Sequence, residues 1–175
     1  MRTIYKEMPS NEAYTLQNAG GVLLLCTHGV PGQTPFHDLA PIAWSCPFDY
    51  EPVSGMLAVC DTSHQTYRDV LATGEAVLAL ASADMQALCE ATGSVSGALV
   101  DKYAKFSIPA FHADSMDILI PEGVSAWMEC HLVQTLVRGT SGILFLDVIK
   151  AFAIEEFWKH RLHFVRQGVW YHPDH

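Results

Sequence analysis

Charge is scarce in this chain, and positive charge scarcest. Only 17% of its 175 residues are charged, with 10 Lys and Arg against 19 Asp and Glu, a formal net charge of −9. With no basic surplus to neutralise phosphates, nucleic acid and anionic membrane are poor partners, and an anionic ligand must be met by local donors. No apolar run approaches the roughly 18–20 residues of a membrane span. The first such run, Val22 to Cys26, is too short and too late for a signal sequence. The five cysteines (Cys26, Cys46, Cys60, Cys89, Cys130) are odd in number and lack CxxC spacing. Most sit in apolar runs, where a free thiol is usually a small buried hydrophobe. A reduced, cytoplasmic protein without a disulfide framework is expected. GxGxxG, P-loop, HExxH and GxSxG elements are all missing, and nothing nominates a nucleophile.

Half the residues are apolar, enough for a core in one domain of this length. The domain is expected to span 1–175, with its core at about 20–155 and a C-terminal extension at 156–175. Short apolar runs bounded by turn residues predict strands at 22–27, 39–45, 54–60 and 75–81. Pro41 lacks a ladder donor, so its strand must be an edge, a bulge or bent there. A longer strand at 126–136 and its hairpin partner at 143–154 flank the turn Arg138–Gly142. Helical spacing covers 65–72, with Gly74 as a C-cap, and 82–92, stopping at Gly93. Asp61 or Ser63 is placed to N-cap the first of these, or to meet a ligand there. Residues 107–123 read as irregular, with one short extended piece. Six strands with two or three inserted short helices fit an antiparallel barrel better than βαβ alternation.

The stretch Gly93-Ser94-Val95-Ser96-Gly97, followed by Asp101-Lys102-Tyr103, has two readings. Its glycines and hydroxyls before a helix start suit an anionic ligand; it is equally a plain turn between two helices. The tail carries His160, His163, His172 and His175. His160 and His163 would share a helical face and could bind zinc, but nothing nearby completes a tetrahedral set. Trp170 and Tyr171 either pack on a planar ligand or a partner subunit, or close the core.

The run Gly93-Ser94-Val95-Ser96-Gly97-x-x-x-Asp101-Lys102-Tyr103 resembles the GSVSGxxxDKF signature of the flavin reductase-like, FMN-binding split-barrel family, which includes flavoredoxin. Leu39-Ala40-Pro41-Ile42-Ala43-Trp44-x-x-Pro47, Asp61-x-Ser63-x-x-Thr66 and Trp127-x-Glu129-Cys130 are similar to further family segments in the same order, from about Gly21 to Ile154. The resemblance implies a mainly β, six-stranded antiparallel split barrel of Greek-key type, usually a homodimer, with FMN near the subunit interface. It would set Trp44, Ser45 and Cys46 along the isoalloxazine ring and Ser63 and Thr66 at the phosphate or ribityl chain. Lys102 would supply a positive charge, so Lys102→Ala is expected to weaken FMN binding without unfolding the chain. Asp38 and Trp170 complete the candidate cofactor-binding set; no residue is singled out as catalytic or metal-binding. Departures from the family pattern fall at Asp38 (frequently Asn), Ala43, Thr62 and Gly142 (His in flavoredoxin-like members), and they remove polar contacts to FMN. The implied activity passes electrons from NAD(P)H or a protein donor through FMN to flavin, ferric iron or a redox partner. The alternative is a split-barrel dimer that binds FMN or another ligand without turnover, as carrier or sensor.

Overall fold

Strand β1 (Leu23–His28) has neighbours on both sides, and the run LLLC that opens it is buried on both faces. The structure is a computed structural model that describes residues 20–173. Around β1 lie β2 (His37–Ile42), β3 (Ser45–Asp49), β4 (Gly55–Asp61) and β5 (Glu75–Leu80), with helix α1 (Gln65–Thr73) between the last two. A 3₁₀ turn (Ala83–Met85), α2 (Gln86–Gly93) and the single turn α3 (Lys102–Lys105) follow. The remainder comprises β6 (Ala110–His112), β7 (Leu119–Pro121), β8 (Ala126–Arg138), β9 (Ser141–Ala153), a 3₁₀ turn (Phe157–His160), β10 (His163–Arg166) and β11 (Val169–Tyr171).

Seven strands form one antiparallel sheet in the order β2-β1-β5-β8-β9-β4-β3. Its two edges, β2 and β3, are separated in the chain only by Ala43 and Trp44. Three Cα steps span at most about 11 Å, so the edges must approach each other and the sheet must curl into a barrel. The Val59 N–H donates to the Trp44 carbonyl (2.9 Å), carrying the β4 pairing up to the bend. Counted as one bent strand, β2 and β3 give the expected six-stranded split barrel. Pro41 sits opposite Leu24 in β2, which has a sheet neighbour on one side only, and the bend follows two residues later.

Inside the barrel, Leu25, Leu78, Leu144 and Leu146 meet Tyr67 and Val70 of α1. Helix α1 therefore closes one end, and it stops at Gly74, whose φ of 74° is the left-handed C-cap. The other face of β1 and β5 packs against Met85 and Cys89 near α2, Ile118 and Ile120 near β7, and Leu162 of the tail. Two expectations change. Residues 107–123 hold two short paired strands, not one extended piece. His160 ends a 3₁₀ turn and His163 opens β10, so they share no helical face; the His163 ring faces Tyr171 instead. Register shifts in the β8–β9 pairing, at Glu129/Cys130 and Leu132/Gln134, interrupt the inward–outward alternation of β8. No described helix is long and apolar enough to cross a membrane.

Candidate functional site

Beyond the end of β4 the chain turns sharply, because the Asp61 carboxylate accepts the Ser63 N–H at 2.8 Å. Capping of α1 by Asp61 or Ser63 does not occur. His64 holds the N-cap position and makes no side-chain capping bond, and the Asp61 carboxylate is spent on the turn. Among the described residues the first amides of α1 have no side-chain acceptor, and His64, Gln65 and Thr66 of this helix start line a cavity of about 180 Å³. Thr66, in this first turn, is fully buried, and its hydroxyl has no hydrogen-bond partner among the described residues. A buried hydroxyl without a partner is a cost that a ligand acceptor would remove.

Opposite Thr66, the same cavity is lined by Asp38 of β2 and Lys102 of α3, each 3% exposed. The Lys102 ammonium donates to the Leu39 carbonyl (2.6 Å) and lies 3.0 Å from the Asp38 carboxylate. Burial pushes the Asp38 carboxyl above its ordinary value; Lys102 and the Leu39 N–H (2.8 Å) pull back only part of that rise. Lys102 is therefore not an exposed donor awaiting a phosphate: a fixed carboxylate already matches its charge. The glycine-rich loop has changed role too. Its following helix, α3, is one turn long, and the Asp101 carboxylate caps it by accepting the Ala104 N–H at 2.9 Å, leaving no open anion site there. The loop instead lines the cavity. Gly97 lies against the Asp38 carboxylate so closely that any Cβ would overlap it.

Helix α1 is held in place by Asp69, also buried. Its carboxylate accepts from Thr27 of β1 (3.0 Å), Gln33 of the following loop (2.9 Å) and Gln65 (2.7 Å). This knot fixes the helix start to the barrel, and nothing in the local spacing announces it.

Past Pro41 the cavity continues into two neighbouring hollows. One runs along Ala43, Ser94, Phe164 and Trp170; the other along Ala43, Trp44, Asp61 and Ser141. Pro41 lines all three, which makes a trench across the outside of β2. Asp38, Trp44, Thr66, Lys102 and Trp170 are thus gathered around one trench. Ser63 is exposed outside its lining, and Ser45 and Cys46 open on a different hollow at the barrel's opposite end. Trp170 is fixed by its indole N–H, which donates to Glu90 at 2.9 Å. Gly142 lies opposite Cys60, and any Cβ there would overlap the Tyr67 ring, so a histidine at this position has no room. The Cys26, Cys60, Cys89 and Cys130 thiols are buried, and burial pushes each up to about 12, which makes them inert packing groups. Among the described residues no three His, Cys, Asp or Glu side chains are grouped to hold a metal ion.

The family model described as Flavin reductase like domain matches residues 16–169. No curated protein matches the chain. Among solved structures, the FMN-binding protein from Thermus thermophilus with bound p-hydroxybenzaldehyde superposes with a TM-score of 0.80 at 17% identity, covering 99% of this chain and 96% of that one. A FMN-binding domain of flavin reductases-like enzyme from Shewanella baltica gives 0.75 at 22% identity, covering 94% and 91%. Flavoredoxin from Methanosarcina acetivorans gives 0.72 at 21% identity, covering 88% and 77%.

Proposed function

The chain belongs to the flavin reductase like family, and from that premise we propose that it binds FMN in the trench over β2 and works as an oxidoreductase. The observation that carries this reading is the buried, unpartnered Thr66 hydroxyl beside the uncapped start of α1. Hydroxyl and helix amides together suit a phosphate. The flat ring is then expected among Pro41, Ala43, Trp44 and Trp170, where apolar and aromatic surface is available. Bound FMN supplies reversible acceptance of a hydride or of single electrons. The protein's own part is to hold the phosphate through Thr66 and α1, to keep Lys102 and Asp38 neutral as a pair, and to shield the ring's surroundings from water.

NAD(P)H or a protein is the electron donor in this reading, and flavin, ferric iron or a redox protein the acceptor. Exposed Val133, Leu136 and Val137 near the β8–β9 turn support a homodimer, since such apolar surface is usually covered by a partner. Five unpaired cysteines fit a reducing compartment, the cytoplasm.

The test is the visible spectrum of purified protein before and after FMN addition and desalting, followed by NADH and NADPH oxidation with and without FMN. Flavin-dependent oxidation is expected. FMN retained without oxidation of either nucleotide would turn the reading to a carrier; the absence of both FMN binding and oxidation would refute it.

A further inference from the structure

While α1 closes one end of the barrel, the other end is a hollow of about 480 Å³ that shares no described lining residue with the trench. Its lining is mostly apolar: Leu23, Met56, Leu80 and Met128 from the barrel interior, with Trp127 stacked on Phe152 at 4.7 Å. Arg161 is the one cation among the described residues of that lining. Its Nε is buried and has no hydrogen-bond partner, and the guanidinium has no ion pair among the described residues. The guanidinium lies flat against Gly21, where any side chain would overlap it.

That isolation is unusual in a chain with 19 acidic residues and only 10 basic ones. Nor does the local backbone let the residue move away easily. Arg161 bridges Ser82, the next residue donates its N–H to Ala81 at 2.9 Å, and the Leu162 carbonyl accepts from Val22 at 2.7 Å. Burial pulls the guanidinium below its ordinary value with nothing to offset it.

We propose that the open end of the barrel is a second ligand site, for a small apolar monocarboxylate whose carboxylate pairs with Arg161. A guanidinium presents a planar fork that matches a carboxylate, and removing the unpaired state of a partly buried cation favours binding. The hollow's size falls in the usual range for small-molecule sites, and barrel mouths commonly serve as such sites. A phosphate fits less well, because the described residues of the lining offer no second cation and few donors. One positive charge in apolar surroundings matches one negative charge on an apolar body.

The test is calorimetric titration of the full chain with benzoate, 4-phenylbutyrate and octanoate, and with the amide of each acid, without added FMN and again at saturating FMN. Saturable binding of at least one acid is expected, with its amide at least about tenfold weaker because the charge-assisted pair is lost. Arg161→Gln should abolish the preference for acid over amide while leaving FMN uptake unchanged. The proposal is overturned if no acid binds saturably, if acid and amide bind alike, or if Arg161→Gln keeps the preference. Release of the acid by FMN would also overturn it, by placing the acid in the trench. Should Arg161→Gln fail to fold, the acid–amide comparison on the parent chain still decides. Because the FMN-free titration stands alone, loss of the flavin reading leaves this result intact.

Discussion

Replacing Lys102 by Met keeps most of the side chain's length and removes its charge. In the parent structure that charge faces Asp38 at 3.0 Å, with both residues 3% exposed. The variant leaves a carboxylate buried among Leu39, Gly97 and the cavity wall, and breaking a buried pair in this way costs about 3–5 kcal/mol. Against a total stability of roughly 5–15 kcal/mol this is large. At about 2–4 °C per kcal/mol for a chain of this size, the unfolding midpoint should fall by about 10 °C. The earlier expectation that Lys102→Ala spares the fold is thus replaced: the charge supports the structure before it meets any ligand. Burial already raises the Asp38 carboxyl, with Lys102 opposing, so loss of Lys102 raises it further. A carboxyl whose folded value is raised holds its proton better in the native state, so the variant should lose stability as pH climbs above the ordinary 3.8. Asp38→Asn combined with Lys102→Met should recover most of the loss, since a neutral pair leaves no buried charge. Urea unfolding followed by tryptophan fluorescence reads all of these variants. A single variant within about 1 kcal/mol of the parent, or a double variant no better than the single, refutes the reasoning.

Thr66→Val removes a buried hydroxyl that has no partner, so stability should hold or rise slightly; FMN affinity should fall about tenfold, and an unchanged titration would take Thr66 out of the site. Glu129 is fully buried; burial raises its carboxyl, but bonds from Ser115, from the Asp114 and Ser115 amides and from Trp127 outweigh this and hold it below the ordinary 4.5. A depressed folded value gives stability that is present above pH 4.5 and lost as pH falls below it, so Glu129→Gln should flatten the acid limb of the stability curve. The same variant should cost about 1–3 kcal/mol at neutral pH, and parallel curves for the two proteins would contradict the assignment. Gly142→Ala drives a methyl into the Tyr67 ring and should destabilise by about 1–3 kcal/mol in thermal unfolding; a neutral result would mean that α1 yields easily.

How much of this was legible beforehand divides along a physical line. Runs such as Leu23–Cys26 and Ala76–Leu80, the turn Arg138–Gly142 and the stop at Gly74 report which backbone a segment can adopt, and they are read locally. Together with the ordered family segments, they determined a six-stranded barrel with short helices and pointed to Thr66 and the Gly93–Gly97 loop. Tertiary structure decided what each polar group spends its charge or hydrogen bond on. Asp38 consumes the charge of Lys102, Asp61 consumes the amide of Ser63, Asp101 caps α3, and the Thr66 hydroxyl and Arg161 Nε are left without partners among the described residues. Such partners come from the register of distant strands and from the bend at Ala43 and Trp44. Periodicity along the chain can indicate which way a side chain faces, but only the folded packing brings its partner within 3 Å.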